Sequence, residues 1–116
     1  MKSYTDLEQS KKLAEILSVE SADMFYRNNG IDVKLMWEHN AHNVKYPCWS
    51  LAALLQIMPH CIYDKYDLTL GKLSDNGGWY ICYGDVDHFV NIYIAKSNLI
   101  EACYEMILTL KEKDLL

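Results

Sequence analysis

Positive charge is what this chain has too little of. Its 116 residues carry 11 Lys and Arg against 16 Asp and Glu, a formal charge of −5. A protein that grips a phosphate backbone needs a surplus of Lys and Arg along one face, so nucleic acid is not an expected partner. The deficit has a location. Between Leu73 and Ala95 there is no Lys or Arg, while Asp75, Asp85 and Asp87 are present. That surface should repel nucleic acid and anionic membrane alike, although an acidic surface is also what a mimic of nucleic acid would present.

Long apolar runs are missing as well. The longest charge-free stretch, Tyr46–Tyr63 with His counted as neutral, is split by Pro47 and Pro59. It falls short of the ~20 apolar residues a membrane helix needs, so no membrane span is expected. The start, MKSYTDLEQSKK, has no apolar h-region of the kind that drives secretion. Cys48, Cys61, Cys82 and Cys103 form no C-x-x-C pair. Four cysteines permit three disulfide pairings, but without a secretory signal reduced, buried thiols in a cytoplasm are the simpler expectation. Neither G-x-x-x-x-G-K-S/T nor G-x-G-x-x-G occurs, and no cofactor is expected.

What is present reads as one soluble α+β domain over residues 1–116. Apolar residues make up 51% and charged residues 23%, enough to bury a core without metal or disulfide. Thr5-Asp6-Leu7-Glu8 reads as a capping box with a helix running to about Ser18. Ile31, Val33, Leu35 and Trp37 alternate with polar residues, the period of a half-buried strand, and Glu38–Tyr46 reads as a polar loop. PCWSLAALLQIMP, between Pro47 and Pro59, carries no charge. It predicts a helix over 48–58 that is apolar nearly all round and therefore sandwiched. A meander follows: a strand over 66–73, a turn at Asn76-Gly77-Gly78, a strand through Trp79, Ile81 and Tyr83, and a third strand from His88 to Ala95. Asn98-Leu99-Ile100-Glu101 opens a last helix. The economical assembly is a mainly antiparallel sheet packed against three helices. Its shared core is predicted to hold Leu51, Leu54, Leu55, Leu68, Leu70, Ile81, Val90, Ile92, Cys103, Met106 and Ile107.

Two residue groups could carry chemistry. Cys48 at a helix start would feel the positive end of the helix dipole, which favours thiolate. His88, sharing strand parity with Val90, Ile92 and Ile94, would point toward the packed face and could serve as its base. The bland alternative is a buried thiol and a structural histidine. His39 and His42, with Glu38 beside them, could share a metal ion, but a closed site needs four ligands and solvated loop histidines are the alternative.

Cys48-Trp49 opening a helix, followed by a histidine entering the strand DHFVNIYI, resembles the core of papain-like cysteine peptidases and related cell-wall amidases. The resemblance implies a thiol hydrolase with Cys48 as nucleophile and His88 as base. The sequence departs from that pattern where Lys45-Tyr46-Pro47 replaces a glycine-rich turn, and Asn91, a candidate third residue, has the wrong strand parity. A broader likeness rests on Ser21-Ala22-Asp23-Met24, on Pro47 through Leu55, and on Glu101 through Ile107. These resemble short bacterial proteins of gut-bacterial genomes and their phage-like or conjugative elements. That likeness implies a cytoplasmic accessory protein and brings no functional residue with it.

The aromatic residues complete the reading. With Val90, Ile92 and Ile94 inward, Phe89, Asn91 and Tyr93 face away, with Tyr80 and Cys82 beside them on the neighbouring strand. Such a face is either covered by a helix of this chain or left for a protein partner or a second copy. The leading expectation is a non-catalytic binding protein using Tyr80, Phe89, Asn91 and Tyr93; the rival is the Cys48–His88 hydrolase.

Overall fold

The computed structural model describes residues 3–27, 30–33, 46–74 and 77–116. The expected loop with His39 and His42, and the second half of the expected 31–37 strand, lie outside the described residues. The α+β expectation holds. Helices α1 (Leu7–Ile16), α2 (Leu51–Ile57) and α3 (Leu99–Glu112) accompany two antiparallel sheets. One sheet has the order β2-β1-β3, with β1 at Met24–Arg27, β2 at Gly30–Val33 and β3 at Tyr46–Cys48. The other has the order β4-β5-β6-β7, with β4 at Cys61–Ile62, β5 at Tyr66–Lys72, β6 at Trp79–Gly84 and β7 at Val90–Lys96. The second sheet is the expected meander.

α3 follows the sequence reading closely. The Asn98 carboxamide accepts the Glu101 N–H at 2.8 Å, satisfying one of the amides a helix start leaves unpaired. Leu99, Cys103, Met106 and Leu110 are buried along one stripe. That stripe packs on β6 and β7, against Ile81, Tyr83 and Ile92, and the same cluster takes in Leu13 of α1 and Trp49 and Leu54 near α2. No helix among the described residues is long and apolar enough to cross a membrane.

Four expectations are corrected. The α1 cap is Asp6, not Thr5: the Asp6 carboxylate accepts the Gln9 N–H at 2.8 Å and the Gln9 carboxamide accepts the Asp6 N–H at 3.0 Å. Thr5 is unavailable because it is fully buried, with its hydroxyl 2.8 Å from that of Ser10 and accepting the Trp49 N–H at 3.2 Å. Cys48 does not begin a helix. Pro47 and Cys48 are extended on β3, in register with Phe25 and Met24 of β1, and Ser50 caps α2 by accepting the Ala53 N–H at 3.2 Å. Proline lacks an N–H but fits extended backbone as well as a helix start, so its position did not decide between them. α2 is not sandwiched: Ala53 and Leu54 are buried, whereas Ala52 and Gln56 lie in water.

The fourth correction concerns the core of the meander. Leu70 is 38% exposed, because α3 packs over β6 and β7 and Leu70 sits on β5 beyond them. Val90 is 52% exposed for another reason. Ile92 pairs with Tyr83, but Val90 pairs with Gly84, so β7 holds one residue more than β6 across that step. A β-bulge of this kind shifts the residues beyond it to the opposite face. Asn91 is the extra residue, and Val90 joins Cys82 and Tyr80 on the face turned away from α3.

Burial of ionisable groups in this core has a pH consequence. Burial pushes the Cys103 thiol up to about 12 and the Tyr83 hydroxyl up to about 12. Both are neutral in the folded and unfolded chain at neutral pH. Above about pH 9 the unfolded chain ionises first, so it binds fewer protons than the folded one and stability falls as pH rises toward about 12. The urea midpoint at about pH 10.5 should therefore lie below that at about pH 8, and Cys103→Ala should flatten the difference.

Candidate functional site

The two sequence candidates for thiol chemistry lie in different surroundings. Cys48 is fully buried on β3. Its thiol donates to the Thr5 carbonyl at 3.4 Å and lies 3.7 Å from the Thr5 hydroxyl. Tyr26 donates to the same carbonyl at 2.6 Å. Among the described residues, the hydrogen-bond partners of Cys48 are hydroxyls and a carbonyl, not an imidazole. Burial pushes the thiol pKa up, against hydrogen bonds from Thr5, Ser10 and Tyr26 that pull it down. The buried hydroxyls have a structural use. Thr5 N–H donates to the Trp49 carbonyl at 2.9 Å and Leu51 N–H to the Ser3 carbonyl at 3.0 Å, fastening residues 3–5 to the segment that leads from β3 into α2.

His88 is exposed, and it precedes β7 rather than opening it. Its backbone is left-handed, with φ 68°, so strand parity does not extend to it and its ring is not aimed at the packed face. Among the described residues no group of three or more His, Cys, Asp or Glu could hold a metal ion.

The residues placed on the outer sheet face come together. Tyr80 and Tyr93 stack with ring centroids 5.9 Å apart and planes 14° from parallel. They are diagonal neighbours, since Tyr80 pairs with Ala95 and Cys82 with Tyr93. Tyr80 also lies across β5: a Cβ on Gly71 would sit 2.7 Å from its ring, so only glycine leaves the ring room there. At Gly84 a Cβ would sit 3.2 Å from the Phe89 carbonyl oxygen, with the Val90 side chain in ordinary contact at 3.8 Å. Beneath this ledge Cys82 is buried, its sulfur 3.0 Å from the Thr69 hydroxyl.

The ledge continues into the turn between β6 and β7. Val86 is 85% exposed, Phe89 69% and Tyr93 53%. The backbone beneath them is held tightly. One Asp85 carboxylate oxygen accepts the N–H groups of Asp87 and Phe89, both at 2.9 Å. Asp85 N–H donates to the Phe89 carbonyl at 2.9 Å, and its own carbonyl accepts the His88 N–H at 3.1 Å. The other carboxylate oxygen lies 3.8 Å from Lys65, and the Asp85 side chain is only 6% exposed. In the sequence Asp85 counts only as part of an acidic surface. It is the turn's anchor, and an aspartate opening a reversal, able to accept the backbone N–H two residues on as in an Asx turn, was the signal that could have shown it.

Lys65 belongs to the neighbouring turn, between β4 and β5. There Tyr63 and Asp64 have φ 54° and 53°, and Lys65 N–H closes the reversal onto the Ile62 carbonyl at 3.1 Å. This is type I′ geometry, usually filled by Asn-Gly, and a tyrosine in it is strained. Tyr63 is 58% exposed and meets Tyr66 edge-on, with centroids 6.5 Å apart. Strained backbone and outward aromatics thus share one end of the sheet. No protein-family model, curated protein or solved structure matches the chain.

Proposed function

We propose that this protein is a small non-catalytic binding or accessory protein that engages another polypeptide through the outer face of the β4–β7 sheet and the adjoining β6–β7 turn. The observation that supports this most is the apolar strip of Val86, Phe89, Val90 and Tyr93, exposed on backbone that Asp85 holds rigid. Scattered apolar side chains in water need no explanation, but four of them within the eight residues Val86–Tyr93 concentrate apolar surface at one place, as interaction surfaces do. Aromatic residues suit that use, since they bury area while immobilising only two side-chain torsions. Rigid presentation lowers the ordering cost of binding further.

Charge narrows the partner. A net −5 with the acids near this turn disfavours nucleic acid and anionic membrane, leaving protein as the fitting class. A cytoplasmic accessory role, as the sequence likeness to proteins of bacterial mobile elements implies, agrees with four free cysteines.

A photo-cross-linking phenylalanine analogue placed at position 89, in cells that make the protein, tests the reading. Position 19 is the control, because Val19 is also well exposed, at 56% against 69% for Phe89, on another part of the chain. A discrete adduct at 89 that is absent at 19 and lost on adding Tyr93→Asp is expected. The same adduct pattern from both positions would end the proposal.

A further inference from the structure

The outer strip runs along a strand with a free side. β7 is the last strand of its sheet, and among the described residues no backbone hydrogen bond joins its second edge to anything. The opposite edge, β4, is two residues long, too short to template another strand. β7 is seven residues long, VNIYIAK, and carries neither proline nor acid; its one charge is Lys96 at the end. Proteins ordinarily blunt an edge of this length with inward charges, proline or a bulge on the free side. On β7 a bulge lies at the Val90 end and a lysine at position 96, and the stretch between them, Ile92–Ala95, carries neither charge nor proline.

Resting on the proposed binding role, we infer that the partner is a second copy of this chain, paired antiparallel to itself along β7 with the two-fold axis at Tyr93. That register matches the strand to itself over Ile92–Ile94, clear of the bulge. Ile92 faces Ile94 of the other copy on the α3 side, continuing the packed face across the axis. Tyr93 faces its own counterpart on the outer side. Because Tyr80 already stacks on Tyr93, the join makes one row of four tyrosines across two sheets spaced by the usual ~4.8 Å between strands. Lys96 comes alongside the start of β7 in the other copy, beside the turn that carries exposed Asp87. Each Lys96 therefore approaches the acidic turn of the other copy, on a strand that is otherwise uncharged. Isologous pairing of this kind closes on itself, so it stops at a dimer of eight strands and does not grow into a fibre.

A position on a two-fold axis meets itself, which gives a test that no other register passes. Sedimentation velocity of the full chain should show a concentration-dependent dimer. Tyr93→Asp and Tyr93→Lys, each alone, place like charges opposite one another and should weaken dimerisation by about tenfold or more. Mixing the two variants should restore it as a heterodimer. Circular dichroism checks that both are folded. If either is not, Tyr93→Cys with Cys82→Ser serves instead: oxidation should link it to itself. Ala95→Cys with the same Cys82→Ser should not link, since its counterpart lies about 13 Å further along the strand.

A monomeric wild type, or a dimer indifferent to the charge swap and to the thiol positions, overturns the inference. The binding role fails separately. An adduct at position 89 to a different protein, with a monomeric wild type, sinks only the self-pairing, whereas a monomer with no selective adduct sinks both.

Discussion

Leu54→Ala should lower the free energy of unfolding by about 2–5 kcal/mol, and Leu55→Ala by distinctly less. Read as sequence, the two are adjacent leucines in one uncharged helix and nothing separates them. In the fold Leu54 is fully buried, within the cluster that joins α1, α2, α3 and the large sheet, while Leu55 is half-buried at its margin. Removing the Leu54 side chain loses its transfer free energy and leaves a cavity between elements that cannot all close in. Removing that of Leu55 loses partial burial, and water fills the space. Urea unfolding of both variants decides the matter, the midpoint moving with little change in slope. Equal costs, or a Leu54 cost below about 1 kcal/mol, would mean that α2 is not seated as described.

The difference between those leucines illustrates what the sequence could and could not convey. The meander and α3 were legible because their signals are local: period-two alternation, glycines at a reversal, and an asparagine three residues before a glutamate. Pro47-Cys48 was not, because proline fits a strand as well as a helix start. What decides is the non-local pairing of β3 with β1, and of the next residues, Trp49 and Leu51, with Thr5 and Ser3. Thr5 was assigned a capping role that its spacing allows, but burial had already committed its hydroxyl to Trp49 and Ser10. Local propensity lost to tertiary packing in both places.

For the candidate site, the aromatic face was legible through strand parity as far as the bulge. Tyr80 and Tyr93 sit where alternation put them. Val90 does not, because a single extra residue inverts the parity beyond it, and nothing in DHFVNIYI marks where that residue is inserted. The same step undid the case for His88, whose inward orientation depended on alternation continuing through a turn. Asp85 holds that turn with a carboxylate rather than with glycine, so the segment read as an acidic reversal. The hydrogen bonds that hold it depend on where the backbone N–H groups of Asp87 and Phe89 fall, which the sequence does not fix.

Cys48 should react with iodoacetamide about a thousandfold or more slowly in the native protein than after unfolding in urea, since labelling must wait for the chain to open. Two terms oppose reaction. The thiol has no access to solvent, lying against the Thr5 carbonyl and the Thr5–Ser10 hydroxyls. Burial also raises its pKa, so near neutral pH it is held as thiol, the unreactive form. Without a helix start at Cys48, the dipole that would have favoured thiolate is not applied to it. Cys61, only half-buried, should label ahead of Cys48 and Cys103. The ordering, read by mass spectrometry, therefore reports the fold as well as the chemistry. Because a raised pKa delays ionisation, any residual native rate at Cys48 should still be climbing above about pH 9. The thiol-hydrolase reading requires the reverse: rapid labelling with a midpoint below about pH 8, abolished by His88→Ala. That result would place a base against Cys48 and would put the catalytic reading ahead of the binding one.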